Sequence, residues 1–127
     1  MSEKTAIQTD EAPAAIGPYS QAVSNGSLVF CSGQIPLDPQ TMEIVPGGIE
    51  AQTHQVFLNL SAVAAAAGSS LGQALKLTIF LTDLEDFATV NKIMSKYFEE
   101  PYPARATIEV SALPKGALVE IEAVLAL

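Results

Sequence analysis

The last ten residues, Leu118–Leu127, form a strand candidate that is apolar on both of its sides. One side would carry Val119, Ile121, Leu125 and Leu127, and the other would carry Leu118, Val124 and Ala126. A strand of this kind has to be covered on both faces of its sheet. In a chain of only 127 residues, few elements remain for two layers of cover. The pattern predicts that one face meets another subunit, with cover by loops as the alternative.

Two more strands, near the amino terminus, are predicted to form a hairpin. They span Tyr19–Val23 and Leu28–Ser32, and Asn25-Gly26 between them tolerates the positive φ angles of a tight turn. Ile49–Ala67 repeats apolar residues at helical spacing, and Gly68 after it is typical of a helix end. The sequence of the first half of the chain therefore predicts two paired strands followed by a helix.

The second half predicts a strand, a helix and two more strands. Leu75–Leu81 alternates as a half-buried strand does, with one face made of Leu75, Leu77, Ile79 and Leu81. Asp83 can cap a helix that runs to about Phe98, and Ala104–Val110 is a strand before Leu118–Leu127. The order β-β-α-β-α-β-β indicates the α+β class, as a two-layer sandwich with both helices on one sheet face. Residues 1–127 are predicted to form a single domain.

Charge and the rarest residues exclude several function classes. Fourteen acidic against six basic residues give a net charge of −8, which disfavours binding to nucleic acids or anionic membranes. The single cysteine, Cys31, excludes an intramolecular disulfide, fits a reducing compartment and is expected to be buried and inert. The single histidine, His54, excludes multi-histidine metal sites and is expected to be exposed. With no secretory signal, we expect a cytoplasmic protein without a bound metal.

Arg105 is the only arginine, and it lies at the start of an otherwise uncharged strand. Its planar, permanently charged guanidinium suits bidentate binding of a carboxylate. The alternative is an internal salt bridge to Glu120 or Glu122. Strand alternation places Arg105, Thr107 and Glu109 on one face. Arg105 is therefore the leading candidate for binding a small anionic ligand.

Glu120 and Glu122 share one face of the otherwise apolar last strand. Carboxylates are uncommon in such strands unless they are paired or functional. One of them could orient a water or carry protons beside Arg105, while the other is expected to face solvent. The sequence leaves open whether Glu122 contributes.

Three weaker candidates carry polar groups at positions that a cleft could use. Tyr19 follows Gly17-Pro18 and could donate its hydroxyl, although tyrosines at strand starts are often just packed. Ser32-Gly33-Gln34 ends a strand in a glycine, whose backbone could approach a ligand closely, with a plain turn as the alternative. Asn91 lies in a helix interior, where asparagine has a poor propensity, and could serve a cleft or face solvent.

Six short segments, in order along the chain, carry a family resemblance. They are APAAIGPY at 12–19, SGQIP at 32–36, TDLEDFATVN at 82–91, YPAR at 102–105, LPK at 113–115 and VEIEA at 119–123. Together they resemble the YjgF/RidA family of reactive intermediate (enamine/imine) deaminases over essentially the whole chain. Several motifs in the right order make this resemblance far more specific than any one of them.

The resemblance implies a chorismate mutase-like α+β fold and a homotrimer. The three sheets would form a central barrel, with active sites in clefts between subunits. The implied reaction is hydrolysis of 2-iminoacids, such as 2-iminopropanoate and 2-iminobutanoate, to 2-oxoacids and ammonia. These imines form from enamines that pyridoxal phosphate enzymes release, and the deaminase itself would need no cofactor.

The same resemblance implies roles for individual residues. Arg105 would bind the substrate carboxylate, and Glu120 would position or activate the attacking water. The pocket would be lined by Tyr19, Ser32 with Gly33, Asn91 and Thr107. Much of the family has a cysteine where this chain has Thr107, so a thiol-based role is in doubt here.

Two other function classes are compatible with the same predicted cleft. The cleft could hold 2-oxoacids or other small carboxylates without turnover, as a sensor or regulator does. An interaction protein with chaperone-like activity is the second alternative, and a ribonuclease is disfavoured by the net charge of −8. Turnover that is lost in Glu120→Ala while binding persists would separate an enzyme from a binding protein.

Overall fold

The computed structural model describes residues 3–127, which form a six-stranded sheet and two α-helices. The strands are β1 (Thr5–Ile7), β2 (Ala22–Ser24), β3 (Leu28–Gln34), β4 (Ala74–Leu81), β5 (Ala104–Glu109) and β6 (Val119–Ala126). The helices are α1 (Gly48–Ala66) and α2 (Phe87–Met94). The predicted α+β class and order of elements are confirmed, with β1 as an addition that the sequence pattern did not indicate.

The strands follow the spatial order β1-β2-β3-β6-β4-β5. All neighbouring pairs are antiparallel except β4 and β5, which run parallel and are connected through α2. β6 therefore lies in the middle of the sheet, between β3 and β4, while β5 is an edge strand. This order decides which candidate residues can meet within one chain.

One face of the sheet packs against the helices. The inward side chains of β6 are fully buried with those of β4 and α1 in a single core, which includes Val119, Ile121, Leu125, Leu77, Ile79, Val56, Phe57 and Leu60. On the opposite face, Phe30 and Ile108 remain 50% and 45% exposed. The chain thus supplies a helical layer for only one side of its doubly apolar last strand.

The predicted hairpin and the end of α1 are confirmed. Asn25 Oδ1 accepts hydrogen bonds from the backbone N–H groups of Ser27 and Leu28, and Gly26 has a φ of 94°. After α1, Gly68 has a φ of 80°, a left-handed conformation that glycine adopts without strain. Among residues 3–127, no helix is both long and apolar enough to span a membrane.

Several predicted element boundaries were wrong in informative ways. The strand predicted at Tyr19–Val23 begins only at Ala22, so Tyr19 lies in the preceding loop. Leu75 is 50% exposed, because a register shift between Ala74 and Lys76 interrupts the alternation of β4.

The predicted second helix is also shorter than expected. Asp83 Oδ1 accepts from the Glu85 N–H and caps a short 3₁₀ turn, Leu84–Asp86, rather than α2 itself. α2 then ends at Met94, and the chain continues in turns to the buried Phe98.

The two rarest side chains differ in how well they were predicted. Cys31 is buried as expected, and desolvation raises the pKa of its thiol to about 11. His54 was expected to be exposed, but it is half-buried, and its Nδ1 lies 2.7 Å from the Tyr97 hydroxyl oxygen. Tyr97 also stacks on Phe57, one turn further along α1, which explains why position 54 is covered. Among residues 3–127, no three His, Cys, Asp or Glu side chains are grouped to hold a metal ion.

Candidate active site

Arg105 opens onto a cavity of about 430 Å³ beside the end of α2, which we call the Arg105 cavity. Its lining consists of Asn91, Met94, Ser95, Tyr102, Pro103 and Arg105. Of these residues, the sequence singled out Arg105 and Asn91 and missed the others. Tyr102 and Pro103 belong to the YPAR segment, so their position directly before Arg105 was the available signal.

The Arg105 guanidinium is held by three side chains of α2. Its Nη1 donates a hydrogen bond to Asn91 Oδ1 and lies 3.8 Å from the Met94 sulfur. Its Cζ atom lies 5.1 Å from the centre of the Phe87 ring, a cation–π contact. Positions 87, 91 and 94 follow one another at helical spacing, so they lie on one face of α2. We call these three residues the α2 cradle.

The α2 cradle orients the guanidinium without neutralising it. Phe87, Asn91 and Met94 are all uncharged, and the salt bridge to Glu120 or Glu122 that the sequence left open is not formed. A guanidinium held in this way keeps its full charge and several N–H donors for an anionic ligand. The arrangement is therefore suited to binding a carboxylate in the Arg105 cavity.

Strand register shows that Arg105 and Glu120 lie on opposite faces of the sheet. Arg105 is aligned with Leu77 of β4, and Leu77 is aligned with Ala123 of β6. Aligned residues point to the same face, so Arg105 shares the helix-covered face with these buried side chains. Glu120 is aligned with Phe80 and points to the other face. The prediction that Glu120 lies beside Arg105 is wrong within one chain.

Glu120 instead lies over Gly33 of β3. A Cβ atom at Gly33 would overlap Oε2 of Glu120, so this close approach requires glycine. The Glu120 carboxyl is half-buried, and its pKa is raised, first by desolvation and second by repulsion from Glu122. Glu122 is exposed, as one of the two glutamates was expected to be. The backbone approach predicted at Gly33 thus serves a side chain of the protein itself.

Gly33 and Tyr19 line a second cavity, of about 300 Å³, which we call the Gly33 cavity. The rest of its lining is Pro13, Ala14, Ile16, Gln21, Gln34, Ile35, Leu37, Met42, Pro114 and Lys115. The Tyr19 side chain is 54% exposed, and its hydroxyl accepts a hydrogen bond from the Ile16 N–H at 3.3 Å. The sequence did not single out Lys115 as a site residue, although it belongs to the LPK segment.

Ser32 and Thr107 differ in how free their hydroxyls are. Ser32 Oγ donates to the Ser20 carbonyl oxygen at 2.6 Å, so it already serves the loop before β2. Thr107 Oγ1 is buried and has no hydrogen-bond partner among residues 3–127. Thr107 lies on the same face as Arg105 and Glu109, as strand alternation predicted. The hydrogen-bonding capacity of Thr107 is therefore unused among residues 3–127, whereas that of Ser32 is engaged.

A family model described as Endoribonuclease L-PSP matches residues 9–127 of this chain. Protein DfrA of Myxococcus xanthus is 55% identical over 123 residues, which are 95% of this chain and 94% of that protein. The mouse 2-iminobutanoate/2-iminopropanoate deaminase is 48% identical over 118 residues, covering 93% of this chain and 87% of that protein.

Solved structures show the same fold. RidA from the Antarctic bacterium Psychrobacter sp. PAMC 21119 matches with a TM-score of 0.94 and 52% identity, over 97% of this chain and 99% of that one. Escherichia coli TdcF with bound serine matches with a TM-score of 0.91 and 46% identity, over 97% of this chain and 98% of that one. These similarities extend over nearly the whole length of each chain.

Proposed function

The chain belongs to the Endoribonuclease L-PSP (YjgF/RidA) family, and from that premise we propose that it is a hydrolytic deaminase of 2-iminoacids. The substrates would be imines such as 2-iminobutanoate and 2-iminopropanoate, and the products 2-oxoacids and ammonia. The observation that carries this proposal is the uncompensated guanidinium of Arg105, which faces a cavity. We propose the cytoplasm as the place of action.

The reaction needs few groups from the protein. A water oxygen adds to C2 of the imine while its proton passes to the nitrogen, which gives a carbinolamine. The proton of the C2 hydroxyl then passes to nitrogen, the C2–N bond breaks as the carbonyl forms, and nitrogen leaves as ammonia. Because the imine is already electrophilic, holding it by its carboxylate and placing one water accounts for a useful acceleration.

Arg105 is proposed to bind the substrate carboxylate. A guanidinium offers two parallel N–H donors to a carboxylate, and a bidentate pair fixes direction as well as distance. The α2 cradle supports this role because it holds Nη1 from one side with neutral partners. The Thr107 hydroxyl lies on the same sheet face, and its hydrogen-bonding capacity is unused among the described residues.

Glu120 is proposed to position the water and to carry the proton. Its raised pKa makes the protonated form accessible at higher pH than for an ordinary glutamate, which suits transfer of a proton to departing nitrogen. After that transfer, the carboxylate can accept a proton from the next water. Desolvation beside Gly33 and the nearby Glu122 are the physical causes of this behaviour.

Arg105 and Glu120 can serve one substrate only if they come from two copies of the chain. They point to opposite faces of the sheet, so we propose sites between subunits, in a homotrimer with a central sheet barrel. The sheet face that lacks a helical layer supports such an assembly, since Phe30 and Ile108 are about half exposed on it. Each site would combine the Arg105 cavity of one subunit with Glu120 of its neighbour.

A carboxylate-binding protein without turnover is the second candidate function. The structure of TdcF was solved with bound serine, a small amino acid with a carboxylate, at 46% identity to this chain. A similar ligand would satisfy Arg105 without calling on Glu120. The two candidates therefore agree on Arg105 and differ on Glu120.

A coupled assay tests the deaminase directly. An amino-acid oxidase would generate 2-iminobutanoate in situ, and semicarbazide would trap the imine that remains. Wild type is expected to lower the trapped imine, and Arg105→Ala to lose at least a hundredfold in kcat/KM, because charge-assisted hydrogen bonds to the substrate are removed. Lys4→Ala, which removes a positive charge from an exposed position, is the matched control and should behave as wild type.

Two outcomes would contradict the proposal in different ways. If wild type leaves the imine untouched but binds pyruvate in an Arg105-dependent manner, the chain is a binding protein. If Arg105→Ala retains full turnover, Arg105 does not hold the substrate and the site lies elsewhere.

A further inference from the structure

Two strained residues meet at the wall of the Gly33 cavity. Among residues 3–127, Met42 and Lys115 are the non-glycine residues with positive φ, at 61° and 59°. The Lys115 ammonium donates a hydrogen bond of 2.9 Å to the Met42 carbonyl oxygen, although the two residues are 73 positions apart. Both side chains line the Gly33 cavity. We call this contact the Lys115–Met42 clasp.

The turn that carries Lys115 would accept a less strained residue. Leu113–Gly116 is a tight turn, in which the Gly116 N–H lies 3.3 Å from the Leu113 carbonyl oxygen and Pro114 occupies the second position. Its third position has a positive φ and normally holds glycine or asparagine, yet here it holds Lys115. Backbone strain of this kind persists in proteins mainly where it serves a function. From this turn, the Lys115 ammonium reaches the Met42 carbonyl oxygen.

The loop that receives the clasp is internally ordered. The Asp38 N–H donates to the Glu43 carbonyl, and the Met42 N–H donates to the Asp38 carbonyl, at 2.9 and 2.8 Å. The clasp connects this loop by a hydrogen bond to the turn before β6, the strand that carries Glu120. Of the described residues that line the Gly33 cavity, Lys115 alone is charged, so no carboxylate in the lining competes for its ammonium.

We infer that Lys115 is a positioning residue. It fixes Met42 in the lining of the Gly33 cavity, beside the glycine over which the Glu120 carboxyl lies, and thereby tightens substrate binding. This inference rests on the proposed deaminase function. A purely structural role for Lys115 would make its loss destabilising. A positioning role predicts opposite effects on stability and on substrate binding. Glycine at position 115 relieves the backbone strain, which favours stability, and removes the clasp, which weakens substrate binding.

The decisive variant is Lys115→Gly, compared with Lys115→Arg and the charge control Lys4→Ala. Lys115→Gly is expected to melt at or above the wild-type temperature while KM for 2-iminobutanoate rises roughly three- to tenfold and kcat stays within twofold. Lys115→Arg keeps a charged donor and is expected to keep the wild-type KM. Hydrogen exchange at the amides of residues 38–45 should quicken in Lys115→Gly and remain unchanged in Lys4→Ala.

Each outcome has one meaning. An unchanged KM in Lys115→Gly overturns the inference and leaves the deaminase function standing. A melting temperature below that of wild type also overturns it, because the role of Lys115 would then be structural. If wild type shows no turnover, the proposed function has failed. Hydrogen exchange then tests whether Lys115 holds the loop that contains Met42. Faster exchange at residues 38–45 would then support positioning by Lys115, and unchanged exchange would contradict it.

Discussion

The surroundings of Arg105 and of Glu120 act on their charged groups in opposite ways. In the first, neutral side chains of α2 surround the guanidinium, so its charge remains available to a ligand. In the second, burial and Glu122 act together on the Glu120 carboxyl and favour its protonated form. The surroundings of Arg105 therefore suit the proposed binding of an anion, and those of Glu120 suit the proposed exchange of a proton.

The two regions also differ in how the chain assembles them. The α2 cradle and Arg105 lie within 19 consecutive residues, from Phe87 to Arg105. The Gly33 cavity combines the segments 13–42 and 114–115, and the Glu120 carboxyl, from β6, lies over Gly33. Since Arg105 and Glu120 point to opposite sheet faces, neither region alone supplies both groups that the proposed reaction needs.

Among the variants that separate the two regions, the largest effect is expected from Gly33→Ala, which disrupts the proton-handling region alone. The added Cβ overlaps the Glu120 carboxyl, which swings away because it is the end of a flexible side chain. We expect kcat to fall by about a hundredfold, the lower range for loss of a general acid–base group, with unfolding free energy within about 1 kcal/mol of wild type. Steady-state kinetics and thermal melting measure the two quantities.

A double variant tests the reason for that loss. If Gly33→Ala acts only by displacing Glu120, it should cost nothing further in a Glu120→Ala background. Additive losses would show that Gly33 acts on the site by another route.

A smaller effect, on KM, is expected from Asn91→Asp in the anion-binding region. The new carboxylate can still accept the hydrogen bond from Arg105, but it neutralises the guanidinium that the substrate needs. We expect KM to rise roughly tenfold with little change in kcat, because partly exposed charges interact by about 1–2 kcal/mol. Asn25→Asp makes the same change in the β2–β3 turn and should leave both constants unaltered. An Asn91→Asp enzyme with normal KM would show that the neutrality of the α2 cradle is irrelevant.

The smallest effect is expected on stability, from Glu120→Gln. The pKa of Glu120 is higher in the folded chain than in the unfolded chain. Its contribution to the free energy of unfolding is therefore fully present below pH 4.5 and is lost as pH rises through the folded-state pKa. Glu120→Gln removes this loss, so it should be more stable than wild type at neutral pH and equal to it in acid. Urea unfolding across pH 4–8 measures the difference, with exposed Glu99→Gln as the control. A variant less stable at neutral pH would contradict the assigned direction of the pKa shift.

Local patterns in the sequence predicted much of the fold. Alternation and helical spacing located both helices and five of the six strands, and Asn25-Gly26 and Gly68 marked real ends. β1 was missed because a three-residue edge strand has too few side chains to show alternation. The exposure of Leu75 depends on a bulge, which only the pairing with β6 reveals.

The site was predictable only in part, for a similar reason. The count of one arginine and its uncharged surroundings identified Arg105, and alternation placed Thr107 on its face. Alternation within a strand does not relate the faces of two strands, so nothing local showed that Glu120 lies opposite to Arg105. That relation depends on β4 lying between β5 and β6 and on its register with each. The Lys115–Met42 clasp likewise joins residues that only the fold brings together.

Complementation between two impaired variants tests most directly whether one site needs two chains. Arg105→Ala and Glu120→Ala subunits would be unfolded together, refolded as a mixture, and assayed against each variant refolded alone. Random assembly should pair an intact Arg105 with an intact Glu120 of another subunit in about one quarter of sites, so roughly a quarter of wild-type activity should return. A mixture no more active than the average of its two parents would contradict a site shared between subunits.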